Sequence, residues 1–192
     1  MIDKALIKSI EIYLEEKFVS NKSRLKHIYN VKKVAITLGN IYSVDIPSVI
    51  VASYLHDATK INSEEENRAL ASNLLYEGIP NACIHAFSAA VLANEEFGID
   101  DIDILNSIKY HCSGRKNMSL LEKVIYVSDF IEDGRKFVSD ELRVIARTNI
   151  DKAVYLIMIQ TRNYLLKNKK MFSSETEEAI LYYQEKLEEF ND

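Results

Sequence analysis

Apolar residues recur through most of the chain at intervals of three and four positions, which is the spacing of one face of an α-helix. Short polar stretches separate these periodic segments, as expected for the connectors of a compact bundle. We therefore predict an all-α protein. The pattern predicts helices over residues 3–19, 23–38, 47–57, 63–77, 80–97, 101–112, 119–131, 139–148, 150–168 and 174–189.

Glycine, proline and serine mark where these helices begin and end. The five glycines each follow a periodic segment or lie in a connector, where a helix C-cap or a positive φ is needed. The two prolines, Pro47 and Pro80, each open a segment, where the missing N–H costs nothing. Three capping boxes of the form S-x-x-E predict further helix starts, at Ser63 with Glu66, Ser119 with Glu122, and Ser174 with Glu177.

The length of 192 residues fits one domain with a substantial core. We predict a single domain over 1–192, with its core at about 22–147 and the C-terminal helices of 150–192 packed on it. The apolar residues within this last segment support that packing. They are Val154, Leu156, Ile157, Leu165 and Leu166.

Composition and charge exclude several classes of protein. The chain is 47% hydrophobic and 28% charged, which is ordinary for a soluble globular protein. Its net charge of −5 argues against nucleic-acid binding driven by bulk charge, although a local basic cluster can still bind a small anion. Neither a signal peptide nor an apolar window of 18 residues is present, so we expect a cytoplasmic protein without a membrane partner. The formation of a homodimer is compatible with the sequence.

Histidines are rare in this chain and regularly spaced. Each of the four falls in a different predicted helix, on or at the edge of its apolar face. One aspartate directly follows the second histidine, and another lies in the apolar run 119–131. One or two inward ligands from each of several helices is how metal sites are assembled in helical bundles. The six candidates are His27, His56, Asp57, His85, His111 and Asp129.

A metal site competes here with an ordinary buried core. A single histidine on an apolar face is more often a hydrogen-bonded core residue than a ligand. Here four share that orientation with two carboxylates, whose charged forms lose hydration when buried. A divalent cation compensates all six together, so we favour a metal site. Cys112, beside His111, is a weaker ligand candidate because two acids favour a hard, oxygen-rich site.

The strings around these residues resemble the HD-domain superfamily of metal-dependent phosphohydrolases. The ordered pattern His…His-Asp…His…His…Asp and the segment 55–60, LHDATK, are typical of it. The run 111–135, HCSGRKNMSLLEKVIYVSDFIEDGR, is similar to the YqeK-type symmetrical diadenosine tetraphosphate hydrolases within that superfamily. The resemblance runs from about Lys22 to Arg147. It departs at Ala86, where a glycine is expected, and is poor beyond about 150.

This resemblance implies an HD-type helical fold and cleavage of a dinucleoside tetraphosphate at its middle anhydride, giving two nucleoside diphosphates. It also implies a divalent metal, iron or a similar ion, with one or two ions bound. His85 and His111 match the pair that faces a second metal or the substrate phosphates. Carried over by position, the metal ligands are His27, His56, Asp57 and Asp129.

Such chemistry assigns roles to the candidate residues. Two histidines and two aspartates fill four positions of a six-coordinate ion, which favours iron or manganese over a closed zinc site. We expect Asp57, His85 and His111 to be catalytic, the two histidines also binding phosphate or acting as a general acid. The favoured cations for binding substrate phosphates are Arg24, Lys60 and Arg135, ahead of Arg115.

Other functions are compatible with the same residues. The HD scaffold also serves nucleoside monophosphate and dNTP phosphatases. A nucleotide-sensing module that binds without turnover is a further alternative, disfavoured because each position of the metal pattern keeps a ligand residue. Tyr126 and Phe130 flank Asp129, and we expect them to pack in the core rather than to stack on a base.

Overall fold

The computed structural model describes residues 2–189, which form ten α-helices and no strand. The all-α prediction is confirmed. A short 3-10 turn, Asn81–Cys83, precedes the fifth helix. The helices are α1 Lys4–Lys17, α2 Lys22–Ile41, α3 Ile46–Leu55, α4 Glu64–Leu70, α5 Ile84–Phe97, α6 Ile102–Lys109, α7 Leu120–Ile131, α8 Asp140–Thr148, α9 Ile150–Lys167 and α10 Ser174–Glu189.

Helices α2, α3 and α7 pack together at the centre of the molecule. Their apolar faces meet in one core, to which fully buried Ile28, Leu55 and Ile125 contribute. Helix α6 bridges α5 and α7, while α9 covers α7 and contacts α8 and α10. The first and last residues of the histidine–aspartate pattern lie in α2 and α7, and the second directly follows α3.

Gly39 corrects the expectation that every glycine follows a helix. It lies inside α2, where a Cβ would stand 3.1 Å from both Ile46 Cδ1 and Val49 Cγ2. Those two side chains belong to α3. Gly39 therefore allows α2 and α3 to approach closely, which helps to bring their histidines together.

Several helix ends also differ from the prediction. The segment predicted over 63–77 is helical only to Leu70, and the segment predicted over 101–112 ends at Lys109. The capping boxes at Ser63 and Ser119 are present. The third is wrong by one residue, because Ser173 rather than Ser174 accepts the first-turn N–H, from Thr176, at 3.3 Å.

The C-terminal helices share the central core. Tyr183 of α10 is fully buried, and its hydroxyl accepts a hydrogen bond from the backbone N–H of Met118 at 3.1 Å. Met118 lies in the loop between α6 and α7, so α10 supports the segment that follows His111. Within residues 2–189, no helix is both long enough and apolar enough to cross a bilayer.

Candidate metal centre

Four of the candidate ligands converge at the centre of the α2–α3–α7 packing. His27 lies in α2 and Asp129 in α7, while His56 and Asp57 directly follow the last residue of α3. Adjacent residues within a helix diverge by roughly 100°. Because α3 ends at Leu55 and the chain turns over 56–60, both side chains can face one point.

The atoms of this first ligand set lie close together. His27 Nε2 is 3.0 Å from Asp129 Oδ1 and 3.6 Å from Asp57 Oδ2. His56 Nε2 is 3.7 Å from Asp57 Oδ2 and 4.0 Å from Asp129 Oδ1. Both imidazole Nε2 atoms are buried without a hydrogen-bond partner among residues 2–189. Buried polar atoms are rarely left unpaired, so this set fits a cation bound between them.

Contacts behind the imidazoles fix which nitrogen faces the centre. His56 Nδ1 is 2.7 Å from the Ser53 carbonyl oxygen, to which it donates in the neutral tautomer. Burial lowers the pKa of His56 to about 4, so at neutral pH the ring is uncharged and its Nε2 lone pair points inward. Ring orientation by an outer hydrogen bond is typical of metal-binding histidines.

His27 has a carboxylate behind it that the sequence analysis missed. Its Nδ1 is 3.3 Å from Glu132 Oε1, and Asn30 Nδ2 donates to Glu132 Oε2 at 2.8 Å. Glu132 is only 4% exposed. The one available signal was its position, three residues after Asp129 and directly after the last residue of α7. Its contact with His27 depends on the approach of α2 to α7, which local pattern does not reveal.

A second ligand set faces the other oxygen of Asp57. His85 Nε2 and His111 Nε2 lie 3.1 Å and 3.6 Å from Asp57 Oδ1 and 3.3 Å from each other. Cys112 Sγ is 3.4 Å from both imidazole nitrogens. The carboxylate of Asp57 thus stands between the two sets. His111 lies in the turn after α6, not in a helix as predicted.

Both aspartates are held in their charged forms. Burial opposes ionisation of Asp129, but the nearby imidazoles, first His27 and then His56, outweigh it and lower its pKa to about 2. Burial likewise opposes ionisation of Asp57, and the surrounding imidazoles again outweigh it, so that its pKa falls well below the usual value. Charged carboxylates are the form that binds a cation.

Three of the candidate cations surround the ligand sets. Arg24 Nη1 is 2.6 Å from Asp57 Oδ2, and Arg135 Nη2 is 3.2 Å from Asp129 Oδ1. Lys60 Nζ is 3.2 Å from His85 Nε2. The fourth, Arg115, is instead paired through two hydrogen bonds, at 2.7 and 2.9 Å, with the buried carboxylate of Glu122. The structure therefore ties Arg115 to the start of α7.

A cleft of about 720 Å³ opens beside the centre, between α7 and α9. Asp129, Arg135 and Cys112 lie at its inner end. The aromatic rings of Phe137 and Tyr164, 60% and 56% exposed, lie along its outer part. Its volume is within the range of small-molecule sites, about 300–1,000 Å³. Tyr126 and Phe130, predicted to be core residues, are buried and half-buried respectively and also line this cleft.

Charge and shape together suit a phosphate compound with an apolar or aromatic group. The ligand sets can hold one or two divalent cations, the arginines can contact phosphate oxygens, and the cleft can accept a flat ring. The positive charges at this site are a local cluster, because the chain as a whole is acidic.

Comparisons with known proteins agree with this geometry. Residues 24–153 match the sequence profile of the HD domain. The chain is similar to the symmetrical bis(5'-nucleosyl)-tetraphosphatase of Halalkalibacterium halodurans, with 33% identity over 160 residues, covering 80% of this chain and 84% of the relative. It is also similar to the protein of the same description in Bacillus subtilis, with 36% identity over 152 residues, covering 75% and 80% respectively.

A solved structure shares most of this architecture. A protein of Clostridium acetobutylicum, described as a predicted HD superfamily hydrolase involved in NAD metabolism, superposes with a TM-score of 0.87 at 34% identity. The match covers 93% of this chain and 97% of that protein. Coverage of that extent includes part of the segment after residue 150. The poor resemblance read there from sequence therefore does not extend to the fold.

Proposed function

The chain belongs to the HD-domain family, and we propose that it hydrolyses diadenosine tetraphosphate at the central phosphoanhydride, giving two molecules of ADP. The named relatives in Halalkalibacterium halodurans and Bacillus subtilis are symmetrical bis(5'-nucleosyl)-tetraphosphatases. The observation that carries the proposal is the convergence of four imidazoles and two carboxylates beside a cleft with aromatic walls.

The first ligand set would hold the catalytic ion. Imidazole nitrogens and carboxylate oxygens in this number fit a six-coordinate iron ion, with manganese as the alternative. Such an ion, when bound, lowers the pKa of a coordinated water and withdraws charge from a phosphate oxygen. The unpartnered Nε2 atoms of His27 and His56 support this assignment. The proposed ligands are His27, His56, Asp57 and Asp129.

Arg24 and Arg135 would bind the phosphate chain. Each guanidinium lies against one aspartate of the first ligand set, with its side chain about one third exposed, at 30% and 35%. The exposed part can donate to phosphate oxygens, as arginine does in paired hydrogen bonds. Lys60 lies on the opposite side, by His85, and can bind phosphates beyond the cleaved bond. These cations offset the charge that grows on the departing diphosphate.

The role of His85 and His111 depends on how many ions bind. With one ion, both rings remain free to donate hydrogen bonds to the leaving group. Burial lowers the pKa of His111, but Cys112 and Asp57 outweigh it and the net pKa is well above the usual value, which keeps a proton available. With two ions, both rings become ligands instead.

The cleft between α7 and α9 would bind one nucleoside. Phe137 and Tyr164 are large aromatic side chains that remain exposed beside a catalytic centre, where a base can stack on them. Gln160 and Thr161 of α9 both line the cleft, have no side-chain hydrogen bond to any residue in 2–189 and can pair with the edge of a base.

A product analysis tests the proposed function. Purified protein of measured metal content is incubated separately with diadenosine tetraphosphate, nucleoside monophosphates and dNTPs. We expect diadenosine tetraphosphate to be converted to ADP alone. Formation of ATP with AMP contradicts symmetrical cleavage, release of phosphate from monophosphates or dNTPs favours the other phosphatases, and binding without turnover favours a sensor.

A matched pair of variants ties the activity to the centre. Asp129→Asn keeps the shape of a proposed ligand but removes its charge, and we expect a loss of at least 100-fold in kcat. Asp133→Asn, four residues later and beyond the end of α7, makes the same change at an exposed residue paired with Lys33 at 2.9 Å. It should leave kcat unchanged. Equal losses in both variants would contradict the assignment of Asp129.

A further inference from the structure

We propose that Cys112 binds a second metal ion as a thiolate, together with His85, His111 and Asp57. This inference deepens the proposed function and rests on it for the presence of metal. The two imidazoles and the carboxylate alone match the second metal position that the HD-domain resemblance implies. The sulfur ligand is specific to this chain's own residue at position 112 and was disfavoured by the sequence analysis.

The spacing of the four donor atoms fits one small cation. A tetrahedral ion with bonds of about 2.0–2.3 Å separates its donor atoms by roughly 3.3–3.8 Å. Cys112 Sγ is 3.4 Å from His85 Nε2 and 3.4 Å from His111 Nε2, and these nitrogens are 3.3 Å apart. Asp57 Oδ1 lies 3.1 Å and 3.6 Å from the same nitrogens. Five of the six edges of a tetrahedron are thus close to the expected length.

Hydrogen bonds within this cluster leave one of its four donor atoms, the Asp57 oxygen, unpaired. Asp57 is 2% exposed, and its Oδ1 has no hydrogen-bond partner among residues 2–189 despite the two imidazole nitrogens within 3.6 Å. The two imidazole nitrogens are close to Asp57 Oδ1, but no N–H points at it. This arrangement is expected when all of these atoms point at a cation between them. A buried carboxylate oxygen left unpaired otherwise costs free energy that folding rarely tolerates.

Local structure explains how two consecutive residues reach the same ion. Helix α6 ends at Lys109, and the chain turns immediately afterwards, so His111 and Cys112 escape the angular separation of neighbouring helical residues. The Nδ1 of His111 is 2.8 Å from the carbonyl oxygen of Ile108, which directs its Nε2 toward the cluster.

Binding at this position has two chemical consequences. The Cys112 thiol gives up its proton to solvent when it becomes a ligand. The Lys60 ammonium, now 3.2 Å from His85 Nε2, is displaced from the ring and is free to turn toward a phosphate. Since thiolates are soft ligands, the second position should select zinc or iron over magnesium and manganese.

Cobalt substitution tests the sulfur ligand without relying on activity. The metal-free full chain is titrated with Co²⁺ while its near-ultraviolet absorption is recorded. We expect two Co²⁺ per chain and a thiolate-to-cobalt charge-transfer band that appears with the second ion. The band should be lost in Cys112→Ser and retained in Cys83→Ala, which removes the other thiol, one that lies outside the ligand set.

X-ray absorption on the wild-type protein keeps the test independent of how well the variants fold. A sulfur neighbour at about 2.3 Å from the ion supports the proposal. It is overturned if wild-type protein binds a single Co²⁺, if no charge-transfer band or sulfur neighbour is found, or if Cys112→Ser keeps the band. Hydrolysis of diadenosine tetraphosphate is measured separately, so a thiolate site in a protein without that activity would refute only the proposed function.

Discussion

At the scale of single residues, the centre depends on side chains whose orientation is fixed by a second contact. His56 and His111 each use Nδ1 for a backbone carbonyl oxygen, which leaves Nε2 facing inward. His27 uses the carboxylate of Glu132 for the same purpose. Orientation of this kind lowers the entropy lost on binding and is commonly worth 10–100-fold in metal affinity.

Replacing Glu132 should therefore weaken metal binding without removing a ligand. In Glu132→Gln the side chain keeps its shape but becomes a weaker partner for His27, and we expect roughly a 10–100-fold rise in the metal dissociation constant. Calorimetric titration of the metal-free protein measures it. Asp133→Asn is the control, since its carboxylate is exposed and pairs with Lys33. An unchanged constant in Glu132→Gln would show that His27 needs no such support.

Single residues also show how much of the site could be predicted from the sequence. Rarity and spacing were enough to select the four histidines and two aspartates, which the structure brings together. Glu132 and the approach of Cys112 to His85 were not found. The first depends on the contact between α2 and α7, and the second on the contact between α5 and the turn after α6. Such contacts leave no periodic signal in either segment.

At the scale of elements, turns and helix ends decide how the centre is assembled. The chain turns after α3 and again after α6, and each turn delivers two consecutive ligand residues. Apolar periodicity predicted the helices but placed these ends several residues late. In 71–79 the apolar residues continue, yet the chain forms turns, because Ala71 and Ile79 pack in a small cluster with Phe87 rather than on a helix face.

Gly114 allows the turn after α6 to pack closely against α7 and α9. Its φ is +62°, and a Cβ there would overlap the methyl group of Met158 on α9 and stand 3.3 Å from Tyr126 Cε2 on α7. Gly114→Ala should lower the free energy of unfolding by about 2–4 kcal/mol, combining a left-handed residue with overpacking. Gly98→Ala, with a similar φ of +63° but open space around it, should cost only about 1–2 kcal/mol. Urea unfolding compares the two, and equal losses would contradict the packing argument.

The outer part of the cleft gives a prediction for Phe137, between α7 and α8, and for Tyr164 of α9. Phe137→Ala and Tyr164→Ala should each raise the dissociation constant for ADP by about 5–150-fold, as loss of base stacking costs about 1–3 kcal/mol. Pyrophosphate, which has no base, should bind unchanged. Leu166→Ala removes an equally exposed apolar side chain, 60% exposed, outside the cleft and serves as the control. Equal weakening for both ligands would mean that the rings support the phosphate site instead.

At the scale of the whole molecule, the metal centre lies where the central helices meet. The buried Asp57 and two unpartnered imidazole nitrogens therefore lie in the interior of the fold, with the partly exposed Asp129 beside them, between elements that come from both halves of the chain. Burying such groups opposes folding unless a cation compensates them. Metal binding and stability should thus be linked.

Removal of metal should lower the melting temperature. A ligand at 100 times its dissociation constant stabilises the folded state by about 2.7 kcal/mol, which for a chain of this size corresponds to roughly 5–10 °C. Thermal unfolding before and after chelation, followed by addition of Mn²⁺, measures the shift and its reversal. Asp129→Asn should show little response to chelation. A melting temperature that is insensitive to chelator in the wild-type protein would refute the linkage.

The position of the cleft wall has a consequence for how this protein can diverge. Every proposed ligand and arginine lies within residues 24–153, the part that matches the HD-domain profile, whereas the stretch from Gln160 to Tyr164 lies after it. Phe137, one of the two proposed stacking rings, lies within the profile, so only the α9 side of the proposed nucleoside site is encoded after it. Substitutions along the exposed face of α9 can therefore change the nucleoside preference while the proposed metal ligands stay unchanged.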